Sequence, residues 1–273
     1  MKKWSGMFID SHAHLFFKDF ADDVADVLAR AKASGVTDIV NPGTDLATSR
    51  ESLDLARAHA MIHPAVGFHP HDASKADRDS LAQIEELSLD PSVVAIGEIG
   101  LDYHYNFSPP EAQREAFSAQ IEIAVRRDLP IIIHSREAEE DTLRIVEGFV
   151  RSHPAWRNGA GRGVFHCFPG DAAMAEKVIG WGFVISIPGP VTFLAKPNRP
   201  NLMASVVAAT PLEQMLLETD SPYLTPVPHR GTRNEPSRIP LIAAKIAEIK
   251  NVTVEEVGAA TSAAVRRLFG LAT

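Results

Sequence analysis

The feature that most constrains the fold of this chain is the alternation of short apolar segments with longer amphipathic ones. Eight apolar segments are bounded by Gly, Pro or Asp, and several are β-branched runs typical of strands buried on both faces. These predicted strands span residues 7–10, 36–40, 62–67, 93–97, 130–133, 163–166, 183–187 and 214–218. The segments between them repeat apolar residues at helical spacing, for example Phe20, Val24, Val27 and Ala31.

Eight β/α repeats within 273 residues predict one (β/α)₈ TIM barrel domain over residues 1–273. A helix is predicted over residues 110–128, and a C-terminal helix over residues 254–269 begins after an N-cap at Thr253. An open doubly wound sheet is the alternative, but no GxGxxG motif follows the first strand.

Composition excludes several classes of protein. The net charge of −8 argues against a surface that binds a polyanion over its whole extent. A single cysteine excludes an intrachain disulfide and a zinc site made of several thiolates. Since no apolar run approaches about 18 residues and no signal-peptide core follows the start, we expect a cytoplasmic protein without membrane association.

Metal-competent side chains follow five of the predicted strands, in a pattern that the barrel would bring to one end. These residues are His12, His14, Glu98, His134, His166 and Asp220. Residues i and i+2 of an extended segment point the same way, so both histidines of the HxH motif can reach one ion. Each histidine alone is no stronger as a ligand candidate than as an ordinary loop or core residue, but their joint placement predicts a metal site. The donor types suit Zn²⁺, Mn²⁺, Fe²⁺ or Co²⁺, and a carboxylate-rich site also admits Mg²⁺.

Two carboxylates of this set are predicted to be catalytic. Glu98 has two oxygens and can bridge two ions, which would activate water and stabilise both attacking and leaving oxygens. Asp220 is placed to bind one ion and to accept a proton from that water.

Further residues near the strand ends are candidates for substrate binding. His69 and His71 would line the metal site or donate to a phosphate oxygen, or else stabilise the turn around Pro70. Arg136 can bind phosphate bidentately or pair with acidic residues at 137–141. Arg230 and Arg233 are either phosphate contacts or structural ties of their loop.

Five other residues also leave alternatives open. Asp102 is expected to orient a ligand or a loop backbone. The aromatic residues Tyr103, Tyr105 and Phe107 can stack on a base, although packing of their own loop is the favoured interpretation. Cys167 is expected to be a small buried hydrophobic residue rather than a nucleophile.

Several longer stretches of the chain are distinctive when taken together. They are IDSHAHL at 9–15, VGFHPHD at 66–72, IGEIGLDY at 96–103, LPIIIHSREA at 129–138, GVFHCFPG at 163–170, LLETDSPYLTP at 216–226 and PHRGTRNEP at 228–236. On these stretches the chain resembles, over residues 7–270, the TatD family of metal-dependent hydrolases. The resemblance implies two divalent ions, one held by His12, His14, Glu98 and Asp220 and the other by Glu98, His134 and His166. Many related amidohydrolases use a carboxylated lysine where this chain has Glu98, which favours the TatD branch.

The resemblance also implies an activity, namely hydrolysis of phosphodiester bonds in DNA, often as a 3′→5′ exonuclease. Single-stranded DNA or strand ends are thus the expected partner, and no obligate protein partner is inferred. Some relatives deacylate D-aminoacyl-tRNA, so a metal-dependent ester or amide hydrolase is the alternative function, and a non-catalytic binding protein is the weakest one. The family commonly has an SGxxTFKNA-like stretch after strand seven, whereas this chain departs from it at Leu194, Ala195 and Lys196.

Overall fold

A computed structural model describes residues 7–105, 107–194 and 201–272. One eight-stranded parallel sheet runs in sequence order from β1 to β8. Its strands are β1 Phe8–Asp10, β2 Val36–Pro42, β3 Ile62–Val66, β4 Ala95–Asp102, β5 Ile131–Arg136, β6 Gly163–Phe165, β7 Phe183–Ile187 and β8 Met215–Leu217. Where the sheet returns on itself, Ser11 N–H donates to the Leu217 carbonyl at 2.9 Å. The predicted TIM barrel is confirmed.

Helices follow these strands along the chain. They are α1 Val24–Ala33, α2 Leu46–Ala58, α3 Arg78–Leu87, α4 Pro110–Arg127, α5 Glu139–Ser152, α6 Ala172–Gly180, α7 Leu202–Ala209, α8 Ile239–Lys250 and α9 Val254–Phe269. Both α8 and α9 come after β8. The predicted C-terminal helix is confirmed with its N-cap, because Thr253 Oγ1 accepts from the Glu256 N–H and the Glu256 carboxylate accepts from the Thr253 N–H. No helix among the described residues is long and apolar enough to cross a membrane.

Two central strands extend further than predicted. The sequence prediction ended them at residues 97 and 133, but β4 continues to Asp102 and β5 to Arg136. Those end points were wrong because the polar site residues do not interrupt the backbone pairing, which continues from Gly100↔His134 to Asp102↔Arg136. Gly100 permits this close approach, since a Cβ there would lie 1.9 Å from the His134 carbonyl oxygen.

The C-terminal helix closes one end of the barrel. Each strand contributes one inward-facing apolar residue to a layer that packs against Ala264, Val265, Leu268 and Phe269 of α9. The inward-facing residues are Ile9, Val40, Ala65, Ala95, Ile132, Val164, Val184 and Leu216. We call this layer together with α9 the floor. With the amino ends sealed, the carboxyl ends of the strands form the accessible face, here called the mouth.

The irregular segment after β7 is described only in part. Gly189–Thr192 form one turn of 3₁₀ helix, and Asn201 caps α7. The departure from the family pattern at Ala195 and Lys196 lies outside the described residues.

Candidate metal centre

Glu98 lies at the centre of the mouth, with its two oxygens facing two different pairs of histidines. Its Oε2 is 3.2 Å from His12 Nε2 and 3.4 Å from His14 Nε2. Its Oε1 is 2.9 Å from both His134 Nδ1 and His166 Nε2. The carboxylate is almost completely buried, at 2% exposure. A buried carboxylate between two groups of imidazole nitrogens has the geometry of a bridging ligand.

The HxH pair at the end of β1 converges as its spacing predicts. The Nε2 atoms of His12 and His14 lie 3.1 Å apart, and Asp220 Oδ1 lies 3.8 and 3.6 Å from them. His14 Nδ1 donates to the Pro42 carbonyl at 3.1 Å, which leaves its Nε2 lone pair directed into the site. Asp220 is positioned by its own N–H, which donates to the His12 carbonyl at 2.9 Å.

His134 is oriented by a second carboxylate behind it. Its Nε2 donates to Asp102 Oδ2 at 3.0 Å, so its Nδ1 faces Glu98. Asp102 also accepts from His71 Nε2 at 3.1 Å and from two backbone N–H groups of its own loop. Burial raises the pKa of Asp102, but hydrogen bonds from His134 and His71 outweigh it and hold the pKa well below the usual range. The ionised Asp102 therefore fixes both a candidate ligand and a loop.

His69 lies closer to the centre than its sequence context indicated. Its Nε2 is 3.4 Å from Glu98 Oε1, and it belongs with Glu98 and His134 to one of three groups, among the described residues, whose ligand atoms lie within 4.8 Å of one another. The other groups are His12–Glu98–His166 and His12–His14–Asp220. His69 was predicted as a substrate contact, whereas this position also makes it a candidate metal ligand.

The chemistry of these side chains fits divalent cations. Burial lowers the pKa of His12 and of His69 to about 4, so both rings are neutral near pH 7 and offer lone pairs. Two imidazole nitrogens facing each other at 3.1 Å share at most one proton, whereas a cation would satisfy both. Imidazole nitrogen together with carboxylate oxygen is a donor set for Zn²⁺, Mn²⁺ or Co²⁺.

The functional residue that sequence analysis left without a role is Glu218. It is completely buried beneath the histidines, where its carboxylate accepts from Ser186 Oγ and from the Cys167 N–H, both at 2.6 Å. His166 Nδ1 lies 3.7 Å away from Glu218 Oε2. The signal was present, because Leu216 of β8 faces inward and alternation places residue 218 on the same side.

A cavity of ≈ 840 Å³ gives access to the centre. Its walls include Glu98, His134, Asp220, Arg136 and Tyr105. Burial raises the pKa of Asp220 to about 6, in the range that suits a proton acceptor near neutral pH.

The predicted substrate residues separate into two sets. His69, His71 and Arg136 line the cavity, and Arg136 forms no ion pair with any described residue. Arg230 and Arg233 do not line it. Arg230 lies 4.1 Å from the Phe193 ring centroid, and Arg233 pairs with Asp23 at 2.7 Å, so the structure favours the alternative of a structural tie for Arg233.

Cys167 differs from its prediction. It is only half-buried, adopts a left-handed φ of 43° and lines the cavity, because the chain turns away from the barrel wall directly after His166. The surrounding protein excludes water from the thiol and raises its pKa well above the usual range, so it remains protonated.

Comparison with known proteins identifies the family of this chain. A model of the family described as "TatD related DNase" matches residues 9–270. The chain is 42% identical over 265 residues to the uncharacterized metal-dependent hydrolase YabD of Bacillus subtilis, covering 96% of this chain and 99% of that protein. It is 36% identical over 268 residues to the 3′-5′ ssDNA/RNA exonuclease TatD of Escherichia coli K12, again covering 96% and 99%.

Solved structures give the same result. The crystal structure of YJJV, a TatD homologue from Escherichia coli, superposes with a TM-score of 0.88 at 30% identity and covers 98% of this chain and 99% of that chain. A TatD family hydrolase from Entamoeba histolytica shares the fold with a TM-score of 0.82 at 22% identity, covering 97% and 98%.

The barrel and its buried histidine–carboxylate centre define a metal-dependent hydrolase. With a family match over residues 9–270 and near-complete coverage of its relatives, the chain belongs to the TatD-related DNase family.

Proposed function

We propose that this protein hydrolyses phosphodiester bonds at the ends of single-stranded nucleic acid, as a 3′→5′ exonuclease that uses two divalent metal ions. The observation that carries the proposal is the position of Glu98 between two histidine pairs, with one oxygen facing each pair. The Escherichia coli relative, named a 3′-5′ ssDNA/RNA exonuclease, supports this choice of substrate.

Six side chains would hold the ions, as the family resemblance implies. His12, His14 and Asp220 would bind one ion, His134 and His166 the other, and Glu98 both. Bound divalent ions supply an activated water and stabilise charge on the attacking and leaving oxygens. The donor set is compatible with Mg²⁺, Mn²⁺, Zn²⁺ or Co²⁺.

The chain's own groups have distinct tasks in this proposal. Asp220 lies at the cavity wall and accepts the proton from the attacking water. Arg136, exposed at the mouth without an acidic partner among the described residues, binds a phosphate oxygen. Asp102 keeps the His134 and His71 rings in position. The chain would act as one domain over residues 1–273 in the cytoplasm.

The test uses protein depleted of metal and resupplied with each of the four ions. Single- and double-stranded DNA and RNA, labelled at either end, report substrate and direction of cleavage. We expect metal-restored shortening of single strands from the 3′ end, strongly reduced in Asp220→Asn. The matched control is Asp22→Asn, an exposed aspartate, which should retain full activity.

Two outcomes would overturn the proposal. One is equal cleavage by wild type and Asp220→Asn, which would point to a contaminating nuclease. The other is turnover of D-aminoacyl-tRNA or of simple esters and amides without cleavage of any nucleic acid, which would assign the same centre to the alternative hydrolase activity.

A further inference from the structure

Two aromatic rings at the mouth are exposed. Tyr105 and Phe107 follow β4, and 48% and 68% of their respective surfaces remain accessible. Their rings stack on each other, with centroids 5.4 Å apart and an interplanar angle of 10°. Large apolar side chains exposed together on a cavity rim are typical of a binding surface rather than of packing.

The neighbouring aromatic residue shows what packing in this loop looks like. The Tyr103 hydroxyl donates to Asp141 at 2.7 Å, and its ring packs against the hydrophobic core. The sequence favoured loop packing for all three aromatic residues; it is confirmed for Tyr103, whereas Phe107 stacks on Tyr105 and remains largely exposed. Tyr103 thus packs against the core, whereas the stacked rings of Tyr105 and Phe107 remain exposed.

The stacked pair is connected to the metal centre through one histidine. The His71 ring contacts Phe107 at 4.9 Å and Tyr105 at 5.6 Å between centroids. His71 shares the Asp102 carboxylate with the candidate ligand His134. One ring, that of His71, thus separates Phe107 from the candidate ligand His134, and the His71 and His134 ring centroids lie 6.4 Å apart.

Charge around the pair favours a ligand that combines a planar ring with a phosphate. The Arg136 guanidinium lies 4.8 Å from the Tyr105 ring centroid and lines the same cavity as Glu98. The arginine attracts the phosphate, and the ring faces attract an aromatic group, which together are the features of a nucleotide. Every base has a π-face, so such a surface binds single strands without sequence preference.

We propose that Tyr105 and Phe107 form a stacking subsite for the nucleobase adjoining the scissile phosphodiester. The subsite rests on the proposed function and deepens it, because it would make substrate binding depend on an unpaired, accessible base at the strand end.

The test measures binding by metal-depleted protein, so that cleavage does not interfere. Fluorescence anisotropy at low salt gives the Kd of an intact labelled single-stranded oligonucleotide. Matching strands carry abasic residues at the 3′ end or at the 5′ end. We expect wild type to bind one of the two abasic strands about tenfold more weakly than the intact strand. Phe107→Ala should weaken binding of the intact strand to that level and leave binding of that same abasic strand unchanged.

Two further variants separate stacking from general damage. Phe107→Trp offers a larger ring and should retain or strengthen binding of the intact strand. Leu89→Ala removes an exposed apolar side chain, 59% accessible, between α3 and β4 at the amino end of the barrel, and should change neither Kd.

The outcomes distinguish this subsite from the proposed function. Equal Kd values for intact and abasic strands in wild type, or equal loss on both strands in Phe107→Ala, would overturn the subsite even if the protein cleaves DNA. If no metal restores cleavage while the tenfold difference in Kd persists, the nuclease function is overturned and the stacking surface stands.

Discussion

The two ends of this barrel differ in whether their polar side chains have hydrogen-bond partners. At the floor, Asp38 accepts from His63 at 2.8 Å and from Arg266 of α9 at 3.2 Å. At the mouth, Ser11 Oγ, His12 Nδ1 and His166 Nδ1 are buried without a hydrogen-bond partner among the described residues. The other buried side-chain atoms that lack a partner among the described residues are one guanidinium nitrogen each of Arg127 and Arg162.

The difference separates stability from function. The floor combines apolar contacts with the pairs that Asp38 forms with His63 and Arg266, so these charged groups find their partners within the protein. At the mouth, side chains of the same kind lie together, and the His12 and His166 rings stack with their centroids 4.0 Å apart. No described group forms a hydrogen bond with the Nδ1 atom of either ring. Residues at the floor should therefore control unfolding, and residues at the mouth should control metal binding and turnover.

The largest expected effect lies at the mouth. Glu98→Gln removes the charge from the central carboxylate and should reduce kcat/KM by about 10²–10³-fold or more, since metal-based stabilisation supplies several kcal/mol. Metal added at 100 times its Kd should stabilise wild type by about 2.7 kcal/mol, and the variant should lose most of this shift. Activity assays and thermal unfolding with and without metal measure both. Glu86→Gln, on the exposed face of α3, is the control. A full metal-induced shift in Glu98→Gln would contradict a bridging role.

The corresponding change at the floor should act on stability alone. Leu268→Ala in α9 empties a site that is 98% buried against the barrel interior and should lower the free energy of unfolding by about 2–5 kcal/mol. Urea unfolding measures this loss, while kcat/KM per folded molecule should stay unchanged. Leu202→Ala, 64% exposed in α7, should have little effect on either quantity. Reduced metal affinity in Leu268→Ala would show that the two ends are coupled.

The same contrast explains what could be predicted from the sequence. Apolar periodicity is a local signal, so the eight strands and α9 could be predicted from the sequence. The barrel that they form then brings His12, His14 and Glu98 together. Contacts between distant segments carry no such local signal. The pairing of Arg233 with Asp23 and the link from Asp102 to His71 depend on how loops from different strands meet. The end of β4 was missed because polar residues there continue the backbone ladder.

An intermediate effect is expected for Glu218, which lies between floor and mouth. Glu218→Gln keeps the size of the side chain but weakens the hydrogen bonds that it accepts from Ser186 Oγ and from the Cys167 N–H beside His166. Such supporting contacts are worth about 10–100-fold in metal affinity or activity. Metal titration should show that loss with a smaller change in unfolding free energy. Glu213→Gln, exposed before β8, is the control, and an unchanged metal Kd in Glu218→Gln would contradict the positioning role.

The smallest expected effect concerns charge pairing at the floor. Burial raises the pKa of Asp38, but hydrogen bonds from His63 and Thr37 and the charge of Arg266 outweigh it, so the pKa is lowered. A lowered carboxyl pKa contributes stability that is fully present above the unfolded pKa of about 3.9 and is lost as pH falls through the folded value. Asp38→Asn should therefore cost roughly 1 kcal/mol at pH 7, and the gap to wild type should begin to shrink below about pH 4 and close as the pH falls through the folded pKa.

Urea unfolding of both proteins at pH 7, 5 and 3.5 measures that gap. Asp54→Asn is the matched control, because Asp54 forms an exposed pair with Arg57 on α2 and such pairs contribute little at any pH. A gap that widens between pH 7 and pH 3.5 would mean that the ionised carboxylate is not what joins β2, β3 and α9. The floor would then owe its stability to apolar contacts alone, and its contrast with the mouth would be one of packing rather than of charge pairing.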